Sequence, residues 1–302
     1  MSALALTLGG LAEPIFRTLL NGISWGVMLI LIAVGFTIVF GFLGVVNFAH
    51  GAFYMAGGYV LFATVDYTGS FALGLVAAIA VVGMGGGLTE LSVLRPTYDI
   101  DPIIQVIFTL GITLIIEGIL LLVYGGAGKN VNSPTIMSGS ISLGGFSYPK
   151  YRFLVMLLGI ALIAGIWLIL RYSQIGLAIR ASLTDKEMVN ALGYNIPRLY
   201  TFVFAIAMGF TGFVGALMTP MNGVDPATGG SILITAVIVV VIGGLGSFRG
   251  SIVAGLMIGI VEMFVARFAA LRWAPVMSVV LLLVVLLIKP NGLFGEEGVL
   301  EG

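Results

Sequence analysis

The 302-residue chain contains no cysteine. Disulfides, thiolate metal sites and cysteine nucleophiles are thereby excluded. It holds a single histidine, His50, so a metal centre has no second imidazole to draw on. Charge is scarce: 9% of residues are Asp, Glu, Lys or Arg, and 13 basic residues balance 13 acidic ones. Zero net charge offers no electrostatic footprint for nucleic acid. So little charge cannot clothe a water-soluble domain of this length.

What is abundant is apolar. Hydrophobic residues make up 60% of the chain and mean hydropathy is +1.18. Ile23–Val46, Tyr67–Thr89, Phe153–Leu170, Leu199–Val224 and Pro226–Phe248 each lack all four charged residue types over 18 to 26 residues. Each is long enough to cross ~30 Å of hydrocarbon as a helix. Backbone groups in lipid must be satisfied within the segment, so these runs are helices. The alternating ten-residue segments of a transmembrane barrel are missing. The expected fold is therefore an all-α integral membrane protein, with spans near 18–42, 48–65, 69–93, 103–124, 152–171, 199–220, 229–248, 250–268 and 273–289. The second opens on a polar, Gly-rich stretch that reads as partial or re-entrant, so the expected count is eight or nine.

The basic connection Arg171–Arg198 carries Arg171, Arg180, Lys186 and Arg198, which places it in the cytoplasm. One transmembrane domain over 1–302 is expected, with a cytoplasmic loop at 172–198, an outside loop at 125–150, an outside N-terminus and a cytoplasmic C-terminus. Met1–Gly10 lacks the basic start of a signal peptide, so the N-terminus is expected to be retained. Gly35-Phe36-Thr37 with Gly41 recurs as Gly209-Phe210-Thr211 with Gly215. Polar breaks follow both copies, Asn47–Gly51 in the first and Met221–Pro226 in the second. This topology runs the copies in opposite directions, the signature of an inverted repeat with broken helices beside a substrate path.

Thr184-Asp185-Lys186-Glu187 reads as a capping box, Gly193 as the residue closing the helix, and Pro197 as a block to its continuation. The helix Asp185–Leu192 would carry Met188, Ala191 and Leu192 on one face. So short a helix is unstable alone in water, and the face must dock, either on the chain's own membrane helices or on a cytoplasmic partner.

Three carboxylates fall inside spans: Glu90, Glu117 and Glu262. Charge in a membrane marks functional candidates by default. Glu90 and Glu262 are expected near span ends, within reach of water. Glu117 lies deeper, with Thr109 and Thr113 on its face. Gly22/Gly26, Gly83/Gly87 and Gly255/Gly259 have the GxxxG spacing of close helix packing. Gly125–Asn130 lacks the first glycine and the hydroxyl of a phosphate loop. No nucleophile elbow or zinc helix is present, so no catalytic residue is expected.

Glu187, Ala191 and Gly193 resemble the cytoplasmic coupling motif of ABC importer permeases, with Met188 and Val189 replacing two alanines. The wider chain resembles the branched-chain amino acid permease family. The matching pieces are Asn47-Phe48-Ala49-His50-Gly51, Met55–Tyr59, Arg95-Pro96, Arg180-Ala181-Ser182, Ala191–Asn195, Gly243–Ser247 and Pro290-Asn291-Gly292-Leu293-Phe294-Gly295. The resemblance implies a cell-membrane permease subunit of an ATP-driven importer, with no cofactor of its own. Its partners would be a similar second permease, two cytoplasmic ATPases holding the ATP, and an extracytoplasmic binding protein. Thr184, Glu187, Met188, Ala191, Leu192 and Gly193 are then the ATPase-coupling residues. Asn47, His50, Gly51, Glu117 and Asn222 are the candidates along the translocation path. The implied substrate is a branched-chain or other hydrophobic amino acid, with urea, short amides or aromatic acids as alternatives within the family. An ion-coupled secondary transporter is the rival from another class; a membrane-embedded enzyme lacks the residues to build a site.

Overall fold

The computed structural model describes residues 3–98, 100–143, 146–184 and 186–295. Its α-helices are α1 (Ala3–Leu43), α2 (His50–Thr68), α3 (Phe71–Thr89), α4 (Pro102–Tyr124), α5 (Lys150–Tyr172), α6 (Gln174–Thr184), α7 (Lys186–Ala191), α8 (Ile196–Asn222), α9 (Thr228–Gly243), α10 (Phe248–Phe268) and α11 (Ala274–Ile288). α3 continues through a π turn, Glu90–Leu94, and a 3₁₀ turn ending at Thr97. Between α4 and α5 lies an unexpected hairpin, β1 (Ser140–Leu143) against β2 (Phe146–Pro149), with Ser140 opposite Pro149.

Helices occupy all nine predicted spans, but seven are long and apolar enough to cross a membrane. α2 and α9 are not among them. α9 is 16 residues long. α2 has the length but carries His50, Asp66, four glycines counted with its end cap, and three tyrosines. Its position explains the composition. α2 is enclosed by α3, α4, α8 and α9 and buries His50 to Met55 without a break. A helix that faces protein on all sides does not need the apolar surface that lipid demands.

Two crossed pairs form the frame. α1 packs antiparallel on α10: Gly22 and Gly26 meet Gly259 and Gly255, and Gly41 meets Gly246. α3 packs on α8, where Gly83 faces Ala205 and Gly209. The three GxxxG pairs thus sit at helix contacts; on α1 and α10 a β-carbon would force the backbones apart, whereas at Gly83 and Gly87 the fit is looser. The tight turns joining α1 to α2, α8 to α9 and α9 to α10 make α1 antiparallel to α8. The two Gly-Phe-Thr copies therefore do run in opposite directions, and Gly35 touches Thr211 across the pair.

The end of α1, the α3–α4 junction, the start of α8, the α9–α10 turn and the 289–295 segment share one side with α6 and α7. Leu293 N donates to Ile242 O at 2.9 Å and Phe294 N to Gly243 O at 3.0 Å, so the Gly243–Ser247 and Pro290–Gly295 pieces dock on each other. The hairpin segment lies on the other side, tied to the α8–α9 break by paired backbone bonds between Lys129 and Val224.

Candidate translocation path and coupling surface

The break between α1 and α2 re-enters the protein. His50 Nε2 lies 2.9 Å from the carbonyl of Ile32, near the middle of the Glu13–Leu43 span. At 1.5 Å per residue, Ile32 is about 16 Å short of the end of α1. The chain from Gly44 to Ala49 therefore runs back along α1, and α2 starts at mid-depth. Non-helical backbone at that depth needs partners from the protein. Asn47 Oδ1 accepts from Ala49 N at 3.0 Å. Thr109 Oγ1 accepts from Phe48 N at 3.2 Å, and the Thr113 hydroxyl donates to Phe48 O at 3.1 Å. The α4 hydroxyl face thus secures the break. His50 is fully buried, packs edge-on to Phe36, and has no hydrogen-bond partner on Nδ1.

The second break matches the first. Asp225 Oδ1 accepts from Ala227 N at 2.8 Å, two residues on, as Asn47 does. Aligned on these turns, the segments read Asn47-Phe48-Ala49-His50-Gly51 and Asp225-Pro226-Ala227-Thr228-Gly229. The repeat thus continues past Gly215 with a four-residue offset, and the non-helical break, 223–227, overlaps the expected Met221–Pro226. Gly51 and Gly229 touch: a β-carbon on Gly229 would lie 3.2 Å from Gly51 O. The N-termini of α2 and α9 meet there and the helices depart in opposite directions. Half-helix N-termini at mid-depth present positive dipole ends, the feature that transporters use toward anionic groups.

The candidate path residues divide. Asn47, His50 and Gly51 come together at the head of α2. Glu117 lies one turn beyond Thr113, half-buried, with no hydrogen bond or ion pair among the described residues. Asn222 ends α8 and is exposed. It lies about one turn beyond Thr219, which faces Gly58, itself about 10 Å along α2 from Gly51. Two apolar grooves flank α8. One of about 700 Å3 is lined by residues including Ile79, Met84, Phe202 and Phe210, and neither groove reaches the head of α2.

Of the other two carboxylates, Glu90 differs from expectation and Glu262 does not. Glu90 is 0% exposed and does not reach water. It accepts from Arg95 Nε and Nη2 at 3.4 and 3.3 Å, from the Tyr98 hydroxyl at 3.1 Å and from the Thr201 hydroxyl at 2.6 Å. Arg95 also donates to the Pro197 carbonyl at 3.0 Å and to the Thr201 hydroxyl. Burial, with the Glu90 carboxylate beside it, pushes the Tyr98 phenol above its usual range and keeps it a donor. Glu262 is half-buried and accepts from Trp25 Nε1 at 2.5 Å and from the Ser278 hydroxyl. Both are paired structural groups.

On the coupling side, α7 ends as the sequence predicts. Gly193 has φ +91° and Tyr194 N donates back to Val189 O at 3.3 Å, a Schellman closure. Asn195 caps α8 by accepting from Arg198 N at 3.0 Å. Pro197 sits in the first turn of α8, where it lacks no needed donor. The start differs. α7 runs Lys186–Ala191; Asp185, and with it the capping box and the Thr184 side chain, lies outside the described residues. Val189 is 3% exposed and anchors α7, whereas Met188 is 58% and Leu192 70% exposed, beside exposed Glu187, Ala191 and Gly193. The Met188–Leu192 face is not buried against the chain's own helices. α6 precedes it and was not foreseen; Arg180 donates to the terminal carbonyls Leu170 and Arg171 of α5 at 2.5 and 3.2 Å.

A profile of the family described as "Branched-chain amino acid transport system / permease component" matches residues 18–288. The chain belongs to this family. The permease is 29% identical to the high-affinity branched-chain amino acid transport system permease protein LivH of Escherichia coli (strain K12), over 94% of this chain and 96% of that protein. It is likewise 29% identical to BraD of Pseudomonas aeruginosa, with the same coverage. The probable LivH of Methanocaldococcus jannaschii is 26% identical over 93% of each. A solved structure of PsaBC from Streptococcus pneumoniae in complex with Fab shares the fold, with a TM-score of 0.52, 14% identity, and 95% and 97% of the two chains covered. The protein is a multi-pass membrane permease of the ABC transporter class and not itself an enzyme.

Proposed function

We propose that this permease is the membrane subunit of an ATP-driven importer for branched-chain or other hydrophobic amino acids. It pairs with a second, homologous permease, receives substrate from an extracytoplasmic binding protein and is driven by two cytoplasmic ATPases, which hold the ATP. The observation that carries the reading is the exposed Met188–Leu192 face of α7, held at a fixed angle by Val189 below and by the Gly193 closure behind. An apolar patch of this kind on a rigid short helix suits insertion into a groove on a partner. Closure of the ATPases on ATP would move α7 and, through the short capped linker, α8. That shift would open the meeting point of α2 and α9 alternately to each side.

The path runs along the permease–permease face, past the heads of α2 and α9 and the half-buried Glu117. Glu117 has no partner within the described chain, so it is assigned either the α-amino group of the substrate or a cation of the second permease. The membrane helices are mainly Val, Leu and Gly and offer few selecting groups, so selection rests chiefly with the binding protein. The test is uptake in proteoliposomes with the four partner subunits. Uptake driven by an ion gradient without the ATPases would sink the proposal. Glu187→Lys and Ala191→Glu should abolish ATPase co-purification while membrane insertion persists, and normal co-purification in both would refute the docking role.

A further inference from the structure

The two paired carboxylates occupy equivalent places in the inverted repeat. Gly83-x-x-x-Gly87-x-x-Glu90 on α3 has the spacing of Gly255-x-x-x-Gly259-x-x-Glu262 on α10. Each glycine pair seats its helix on the long helix of the other half, α3 on α8 and α10 on α1. Each carboxylate then takes a hydrogen bond from that same long helix: Glu90 from Thr201 on α8, Glu262 from Trp25 on α1. Inversion places the Glu90 pin at the α7 end of the molecule and the Glu262 pin toward the opposite end.

The geometry points to Glu90 as a positioning residue that makes α3 and the start of α8 one rigid lever, so that displacement of α7 reaches the α3–α4 junction and not α8 alone. This rests on α7 being the ATPase contact. The linkage is continuous. The chain passes from the Gly193 closure through the Asn195 cap to Pro197 and Thr201, where Arg95 and Glu90 bind α8. The α3–α4 junction is fixed in turn by Gln105, whose side chain donates to Thr97 O at 2.8 Å. α4 then carries Thr109 and Thr113 to the Phe48 break. A rigid linkage transmits displacement because a packed, fully bonded joint has no softer arrangement to relax into. Glu90, Arg95 and Tyr98 all belong to one segment; their hydrogen bonds to α8 run to Thr201 and the Pro197 carbonyl, and Tyr98 packs edge-on to Tyr200 at 5.7 Å. Thr201→Val therefore cuts one crossing tie while leaving the Glu90–Arg95 pair intact. Arg95→Lys keeps a cation on Glu90 while losing the fork that also reaches Pro197.

The test uses the assembled importer. The chain has no native cysteine, so spin labels at Tyr194→Cys, beside α7, and Ile100→Cys, in the α3–α4 junction, are unambiguous. Both positions are exposed. In the otherwise unchanged complex the label distance should stay constant as ATP is bound, because both sites ride on one body. In Thr201→Val/Arg95→Lys it should change. Uptake per ATP hydrolysed should fall roughly three- to thirty-fold with co-purification retained, and Thr201→Ser should behave as the parent. A distance that already changes with ATP in the parent, or coupling that survives the double substitution, overturns the lever. If the double variant does not assemble, the parent distance alone decides. Failure of the ATPases to bind the parent chain overturns the importer reading, and the lever with it.

Discussion

The contact between Gly51 and Gly229 sets up a graded series of alanine substitutions. A β-carbon on Gly51 would clash with the Gly229 carbonyl oxygen, and would lie 2.8 Å from the Gly229 carbonyl carbon and 3.1 Å from Leu233 Cβ. Ordinary carbon–carbon contact is ~3.5 Å or more, so the carbon–carbon gap alone demands a backbone retreat of about 0.7 Å and the oxygen demands more. Overpacking of this kind costs about 1–3 kcal/mol. A β-carbon on Gly229 meets Gly51 O at 3.2 Å and Ala52 N at 3.3 Å, a shortfall that small shifts absorb. One on Gly230 meets nothing within 4 Å, and there alanine gains about 0.5–1 kcal/mol of helix propensity. Gly51→Ala should therefore be less stable than Gly230→Ala by about 1.5–4 kcal/mol, with Gly229→Ala between them. For a chain of this size that separation corresponds to roughly 2–6 °C in thermal midpoint, readable by fluorescence-detected size exclusion in detergent after a temperature series. Uptake should fall in the same order. Equal midpoints for Gly51→Ala and Gly230→Ala would show that the heads of α2 and α9 do not touch.

Further outcomes follow from other joints. Thr113→Val should destabilise by about 1–3 kcal/mol by leaving the Phe48 carbonyl unpaired at mid-depth, and Thr113→Ser should not; matched unfolding midpoints check this. Leu192→Glu should prevent ATPase co-purification at unchanged thermal stability, whereas Val189→Glu should lower stability because it buries a charge under α7. Trp25→Phe should loosen α10 from α1 and speed backbone hydrogen exchange near Glu262, with no comparable change near Glu90. Single cysteines at Ile136 and Tyr194, both exposed positions, should react with an impermeant thiol reagent from opposite faces of oriented vesicles.

Much of this was legible in the chain because lipid imposes so simple a rule on its elements. The nine membrane helices follow from long apolar runs, five of them charge-free, and the closure of α7 follows from Gly193 and Pro197. The misses have a common physical source. Glu90 reads as a carboxylate near water because hydropathy records a residue's own polarity and not its partners. Thr201, which helps to satisfy it, lies more than a hundred residues away. The glycine pairs and the carboxylates were both visible, but their shared GxxxGxxE spacing becomes meaningful only once α3–α8 and α1–α10 are seen as equivalent pairs. The second break is legible at Met221–Pro226, but its residue-by-residue alignment with Asn47–Gly51 is not, because Pro226 and Thr228 disguise the likeness. The exposure of the Met188–Leu192 face could not be read from periodicity, since an apolar face looks the same whether it is covered by its own chain or by another.

The enclosed position of α2 has a consequence for how the protein is made. α2 is too polar and starts too deep to hold itself in a bilayer, yet it leaves the ribosome directly after α1. α8 and α9, which cover it, follow after a further 146 and 178 residues, measured between helix starts. At 5–20 residues per second that is an interval of roughly 7–36 s. During it, the Gly-rich face of α2 has only α1, α3 and α4 for company. The insertion machinery must therefore shelter a half-built core, and substitutions on that face should lower yield during synthesis more than they lower the stability of finished protein.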